Sequence, residues 1–160
     1  ALALRRFYRL SSHIAPRLDM FRPPPCLTAS PCTSADSNLN EEEDGVARCV
    51  FCMIIRGEAP ASKVYEDDTC ICILDTYPVS HGHSLIIPKR HFPSLVATPP
   101  SVIAAMCSKV PVISNAIMKA TGSDSFNMLV NNGVAAGQVI SHTHIHIIPR
   151  KLHDCLWTSE

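Results

Sequence analysis

Excess charge of either sign is missing from this sequence: 14 Lys and Arg balance 14 Asp and Glu, and charged residues make up only 18%. Bulk attraction to nucleic acid or to an anionic membrane is therefore not expected. No apolar run approaches the ~20 residues of a membrane span, and no segment repeats along the chain. A disulfide framework is not expected either, despite eight cysteines. Cys70 and Cys72 fall in an apolar strand, Cys107 in a helix, and Cys49 and Cys52 in a CxxC pair. That placement reads as a reducing, intracellular setting with buried thiols and one metal pair. What is present is a 46% hydrophobic share in 160 residues, enough for one domain with a core.

Residues 1–44 are expected to lie outside that domain. The first 22 residues hold five arginines against one acid, Asp19, with Ser and Ala between them. This is the composition of an organellar targeting segment. The chain has no starting Met, so its natural N-terminus is expected further upstream. Arg6-Phe7, five residues, then His13-Ile14 is similar to the amino-terminal peroxisomal signal. A mitochondrial or plastid presequence is the alternative. Pro, Ser and Asn then fill a linker that ends in the acidic run 41–44, read as solvated.

From residue 45 to 160 the pattern becomes that of a folded domain. Cys49-Val50-Phe51-Cys52 opens a short helical turn that closes at Gly57. Residues 63–66 and 70–74 read as a hairpin with Asp67-Asp68 at the turn, and Asp75 ends the second strand. A third strand over 83–88 follows a loop. Ser101 is the expected N-cap of a long helix with the apolar stripe Val102, Ile103, Met106, Val110, Ile113 and Ile117. Gly122 ends it, and Pro111 is expected to kink or divide it. A fourth strand, 126–130, precedes a loop carrying Asn131-Asn132-Gly133 and Gly137-Gln138. The order β-β-β-α-β-β predicts an α+β fold with an antiparallel meander sheet and one main helix.

The last strand carries the densest chemistry. In the run 141–148, His142, His144 and His146 alternate with Thr143, Ile145 and Ile147. A period of two places the three imidazoles on one face and Thr143, Ile145 and Ile147 on the other, in the core. Packing alone does not call for three imidazoles side by side, because each has polar nitrogens that need partners. No Asp or Glu lies within the run, which argues against a hydrolytic metal centre built from these histidines alone.

Six motifs occur in register: Cys-x-x-Cys, Leu-Asp75, Gly-His83-x-Leu-Ile-Ile-Pro-Lys89-x-His91, Asn131-x-Gly, Gly137-Gln138 and His142-x-His144-x-His146. Together, over residues 46–150, they resemble the histidine triad (HIT) superfamily of nucleotide hydrolases and transferases. The CxxC and the ending His-Ile-Ile-Pro-Arg are most similar to its zinc-containing bacterial and plant branch, which includes adenylyl-sulfate-cleaving plant members. The resemblance implies a homodimer, a small-molecule nucleotide substrate, and AMP release through a covalent nucleotidyl-histidine intermediate. His144 would be the nucleophile, His146 a donor to the phosphate, and Gln138 with the amides around Gly137 would face the phosphate oxygens. Asp75 would accept the ribose hydroxyls, with His83 and Asn131 nearby. Phe51, Ile54, Ile73 and Leu85 are candidate walls for a purine. Cys49, Cys52, His91 and His142 would hold a structural zinc; a plain buried or redox CxxC is the other reading. Val139 stands where the phosphoramidase branch has a serine, which favours a leaving group already anionic, such as sulfate. Trp157 could cap a base or leaving group. The alternatives are a dinucleoside polyphosphate hydrolase or a nucleotide phosphorylase of the same family, a zinc metal hydrolase, or a non-catalytic nucleotide-binding module.

Overall fold

Strand alternation explains how the sheet comes to be covered on both sides. The structure, a computed structural model, describes residues 46–156. The expected targeting segment, the acidic run and Trp157 lie outside the described residues. Strand β1 (Lys63–Glu66) and strand β2 (Cys70–Leu74) form the expected hairpin. In β2, successive side chains point to opposite faces. Cys70 and Cys72 pack with Ile86, Met106, Val110 and Ile113 on one face; Ile71 and Ile73 pack with Phe51, Ile54 and Leu85 on the other. The first face is covered by the long helix α2 (Pro100–Thr121), the second by the short helix α1 (Val50–Arg56).

The sheet adds β3 (Ser84–Pro88), β4 (Ser125–Leu129) and β5 (Ile145–Arg150). All neighbours are antiparallel, in the order β1-β2-β3-β5-β4. The α+β architecture with one main helix is thus as expected. The topology adds one point: β5 enters between β3 and β4 instead of joining an edge. The histidine-bearing strand is therefore paired on both sides, with Ile145, Ile147 and Ile148 almost fully buried.

Three expectations are corrected. First, β5 begins at Ile145, so His142 and His144 precede the strand. The register Ile86↔Ile145 would bring Pro88 opposite Thr143, and proline has no N–H to continue a ladder. Thr143 N–H donates instead to Phe92 O at 2.7 Å. Second, Ser101 is not the N-cap. Pro99 occupies that position and Pro100 starts the helix, where a fixed φ and a missing N–H cost nothing. Third, Pro111 does not divide α2, which runs unbroken for 22 residues. Pro111 is on the exposed side, where water can take the carbonyl it leaves unpaired. By length and composition alone α2 could cross a membrane, a qualification to the absence of long apolar runs. Here its stripe Met106, Val110, Ile113 and Ile117 is buried against the sheet.

Candidate active site

The three histidines keep their alternation even where the ladder stops, and their rings gather on the α1 side. The His142 and His144 rings stand edge-on to Phe51, at 5.8 and 5.3 Å between centroids. His146 lies 4.9 Å from His144 and 5.2 Å from His83. All four imidazoles are buried.

Their hydrogen bonds fix where the protons sit. His144 Nδ1 lies 2.7 Å from the carbonyl of His142, which can only accept. The proton is therefore on Nδ1, and Nε2 carries a free lone pair. For His83, the Val79 N–H donates to Nδ1 at 3.2 Å, so its ring proton is on Nε2. That proton is donated to His146 Nδ1 at 3.0 Å. His146 then holds its own proton on Nε2, and this atom is buried without a partner among the described residues. An unpaired buried donor costs about 1–3 kcal/mol. The arrangement is a nucleophilic lone pair beside an unsatisfied N–H donor, which suits an anionic electrophile.

Burial keeps these rings neutral. It pushes His146 down to about 3, with His144 and His83 adding to the effect. His144 is lowered by burial against the pull of its bond to His142 O. His83 is lowered by burial, opposed by Asp75. Neutral imidazole is the form that can attack phosphorus.

Asp75 follows β2 directly. One carboxylate oxygen accepts the Tyr77 N–H at 2.8 Å, and the other is 3.6 Å from His83 Nδ1. The second oxygen remains placed to accept a hydroxyl. Phe51, Ile54, Ile73 and Leu85 do share one buried cluster on the histidine side.

The Asn/Gly loop is held by hydrogen bonds of its own. Gln138 accepts from Gly133 N–H at 2.7 Å and donates to Pro93 O at 2.7 Å and Ile140 O at 3.0 Å. The amides of Gly137 and Gln138 donate to Val134 O and Gly133 O. Asn131 donates to Gly137 O at 3.3 Å. Gln138 and the Gly137 amide, expected to face the phosphate oxygens, are thus bonded within the loop and to Pro93 O in this structure. These bonds close the loop on itself and tie it to Pro93. Gly133 and Gly137 have φ of 84°, a conformation that favours glycine.

A second cluster lies next to the first. Cys49, Cys52, His91 and His142 bring four ligand atoms within 4.8 Å of one another. Cys49 Sγ and Cys52 Sγ lie 3.4 and 3.6 Å from His142 Nδ1, and Cys52 Sγ 3.3 Å from His91 Nδ1. A tetrahedral zinc with bonds of about 2.3 Å to sulfur and 2.0 Å to nitrogen spaces its ligands by roughly 3.5 Å. His142 Nε2 donates to Pro88 O at 2.9 Å, leaving Nδ1 as a lone pair facing the thiols. Burial and then Cys49 push the Cys52 thiol up to about 11, and a bound cation would reverse that shift. The donor set fits zinc.

Sequence reasoning missed five contributors: the Val79 amide, the carbonyls of Pro88 and Phe92, and the hydroxyls of Thr98 and Thr143. Backbone groups leave no sequence signal. Thr143 left one, a polar residue at a position expected to be core.

Residues 56–153 match the HIT domain. The chain is 65% identical over 158 residues to adenylylsulfatase HINT3 of Arabidopsis thaliana, covering 98% of this chain and 80% of that protein. Adenosine 5'-monophosphoramidase hnt1 of Schizosaccharomyces pombe is 36% identical over 102 residues, 64% of this chain and 74% of its own. A solved zinc-bound histidine triad family protein from Mycobacterium smegmatis superposes with a TM-score of 0.67 at 39% identity, over 72% of this chain and 84% of that one. With the six motifs, the sheet order and the histidine geometry all in agreement, the chain belongs to the HIT domain family.

Proposed function

We propose that this chain is a nucleotide hydrolase that cleaves adenylyl sulfate at its phosphate through His144, releasing AMP. The observation that carries the reading is the pairing of a free lone pair on His144 Nε2 with the unpartnered N–H of buried His146. The 65% identity to an adenylylsulfatase and the likeness to a monophosphoramidase support the reaction class.

In the proposed step His144 Nε2 attacks the α-phosphorus. An N–P bond forms, the P–O bond to sulfate breaks, and sulfate leaves with the electron pair. Water then attacks phosphorus, the N–P bond breaks, and the water proton passes to solvent or to the sulfate released. His146 Nε2–H holds a non-bridging oxygen as charge builds on it. Asp75 accepts the ribose hydroxyls. Zinc, when bound by Cys49, Cys52, His91 and His142, supplies a structural tie between α1 and the residues before β5. Pairing of two copies through α2, whose Val112 is exposed, belongs to the same proposal; light scattering at the mass of a single chain would contradict it.

Val139, exposed beside the loop, offers no proton to a leaving group. Sulfate leaves as the anion it already is, whereas an amine must first be protonated. Adenylyl sulfate should therefore be cleaved faster than an AMP-amine. Parallel turnover assays of adenylyl sulfate and AMP-lysine test this, and faster release from AMP-lysine would contradict it.

A further inference from the structure

The sheet does not place His144, because β5 starts one residue later. The groups that do place it converge on a single peptide unit. The carbonyl of His142 and the N–H of Thr143 belong to that unit, which is planar and stiff. On one side, His142 O accepts the His144 Nδ1 proton at 2.7 Å. On the other, Thr143 N–H donates to Phe92 O at 2.7 Å. Turning this plane would withdraw the acceptor that keeps His144 Nε2 unprotonated.

Two buried hydroxyls hold the plane from the side. Thr143 is 1% exposed and Thr98 6%. Their oxygens are 2.7 Å apart, and Thr98 Oγ1 donates to Ser94 O at 2.8 Å. Each hydroxyl has one proton, so the short contact between them is donated by Thr143. The bonds run in one direction, from Thr143 to Thr98 to the Ser94 carbonyl. Thr143 Oγ1 also lies 3.3 Å from Phe92 O. Valine has nearly the same shape, so packing alone does not call for two hydroxyls here. Burying them is costly unless their bonds are made.

We infer that Thr98 and Thr143 are positioning residues for His144: their hydroxyl pair ties the peptide between residues 142 and 143 to the segment 92–98, and that peptide sets the tautomer of the nucleophile. This rests on the reading of His144 as nucleophile, but it concerns residues outside the histidine, phosphate and metal sets.

The test uses the full chain loaded with zinc, comparing Thr143→Val, Thr143→Ser, Thr98→Val and Thr98→Ser. AMP release from adenylyl sulfate gives kcat and KM, and the ¹⁵N signals of the His144 ring give its tautomer. The valine variants should lose roughly 10- to 100-fold in kcat, the scale of a small misplacement of a reacting group. KM should stay near the wild-type value, and serine should restore kcat. The wild-type His144 should show an Nδ1–H ring, and the valine variants a mixture of tautomers. If Thr143→Val fails to fold, Thr98→Val, at the far end of the pair, decides the matter. Wild-type kcat in the valine variants, a loss that serine does not restore, or an unchanged tautomer would each overturn the inference. If the wild type releases no AMP from adenylyl sulfate, the substrate reading fails by itself. The ring signals then still decide: mixed tautomers in the valine variants support the inference and unchanged ones overturn it.

Discussion

His142 and His144 are joined by a bond of 2.7 Å between the backbone carbonyl of the first and Nδ1 of the second. Through its side chain, His142 faces the two thiols; through its backbone, it selects which nitrogen of His144 is free. The Cys/His cluster and His144 are thus separated by a single residue, and disturbing the first should be felt at the second.

The purified chain should contain one zinc per polypeptide. Cys52→Ser and His91→Ala should each lose it and lower the melting temperature by at least about 5 °C, equivalent to ~1 kcal/mol or more in a domain of this size. AMP release should fall as well, because the same loss frees His142, whose carbonyl orients His144. Elemental analysis with thermal unfolding checks this, and a full zinc complement in both variants would contradict the ligand set.

Acid should destabilise the fold through His146. Its folded value is pushed down to about 3 by burial, while an unfolded histidine titrates near ~6.5. Below pH ~6.5 the unfolded chain takes up a proton that the folded chain refuses. Stability is therefore fully present above that pH and is lost as pH falls toward 3, by up to about 1.4 kcal/mol per pH unit for one such group. Urea midpoints between pH 7.5 and 5 should fall in the wild type and fall less steeply in His146→Gln. A midpoint that rises on acidification would refute the assignment.

Gly82 sets the base of the His83 loop. Its φ is +86°, and an added Cβ would lie 2.5 Å from Thr121 Cγ2 and 3.1 Å from Ile117 Cγ2. Thr121 cannot easily turn away, because its hydroxyl is bonded to Ile117 O at 2.9 Å. Gly82→Ala should cost about 1–3 kcal/mol from backbone strain and overpacking. Chemical denaturation measures this, and an unchanged midpoint would contradict the crowding.

Much of this was legible in the sequence because periodicity is a local signal. Alternation in residues 141–148 gave the face of each side chain, the Asp67-Asp68 turn gave the hairpin, and the 3.6-residue stripe gave α2. The CxxC spacing marked Cys49 and Cys52, and the likeness to the zinc-containing branch added His91 and His142; the fold does bring these four together. What stayed hidden depends on distant partners. The start of β5 follows from Pro88 standing across from Thr143, a register no local pattern carries. The loop-closing bonds of Gln138 stayed hidden because its partners, Pro93 O and Gly133 N–H, are backbone groups. The tautomer of His146 depends on the amide of Val79, relayed through His83.

The measurement closest to the central claim is AMP release from adenylyl sulfate by the wild type beside His144→Ala. Release by the wild type, with loss of nearly all of it in the variant, is the predicted result. Equal release by the two proteins would remove His144 from the chemistry and contradict the account.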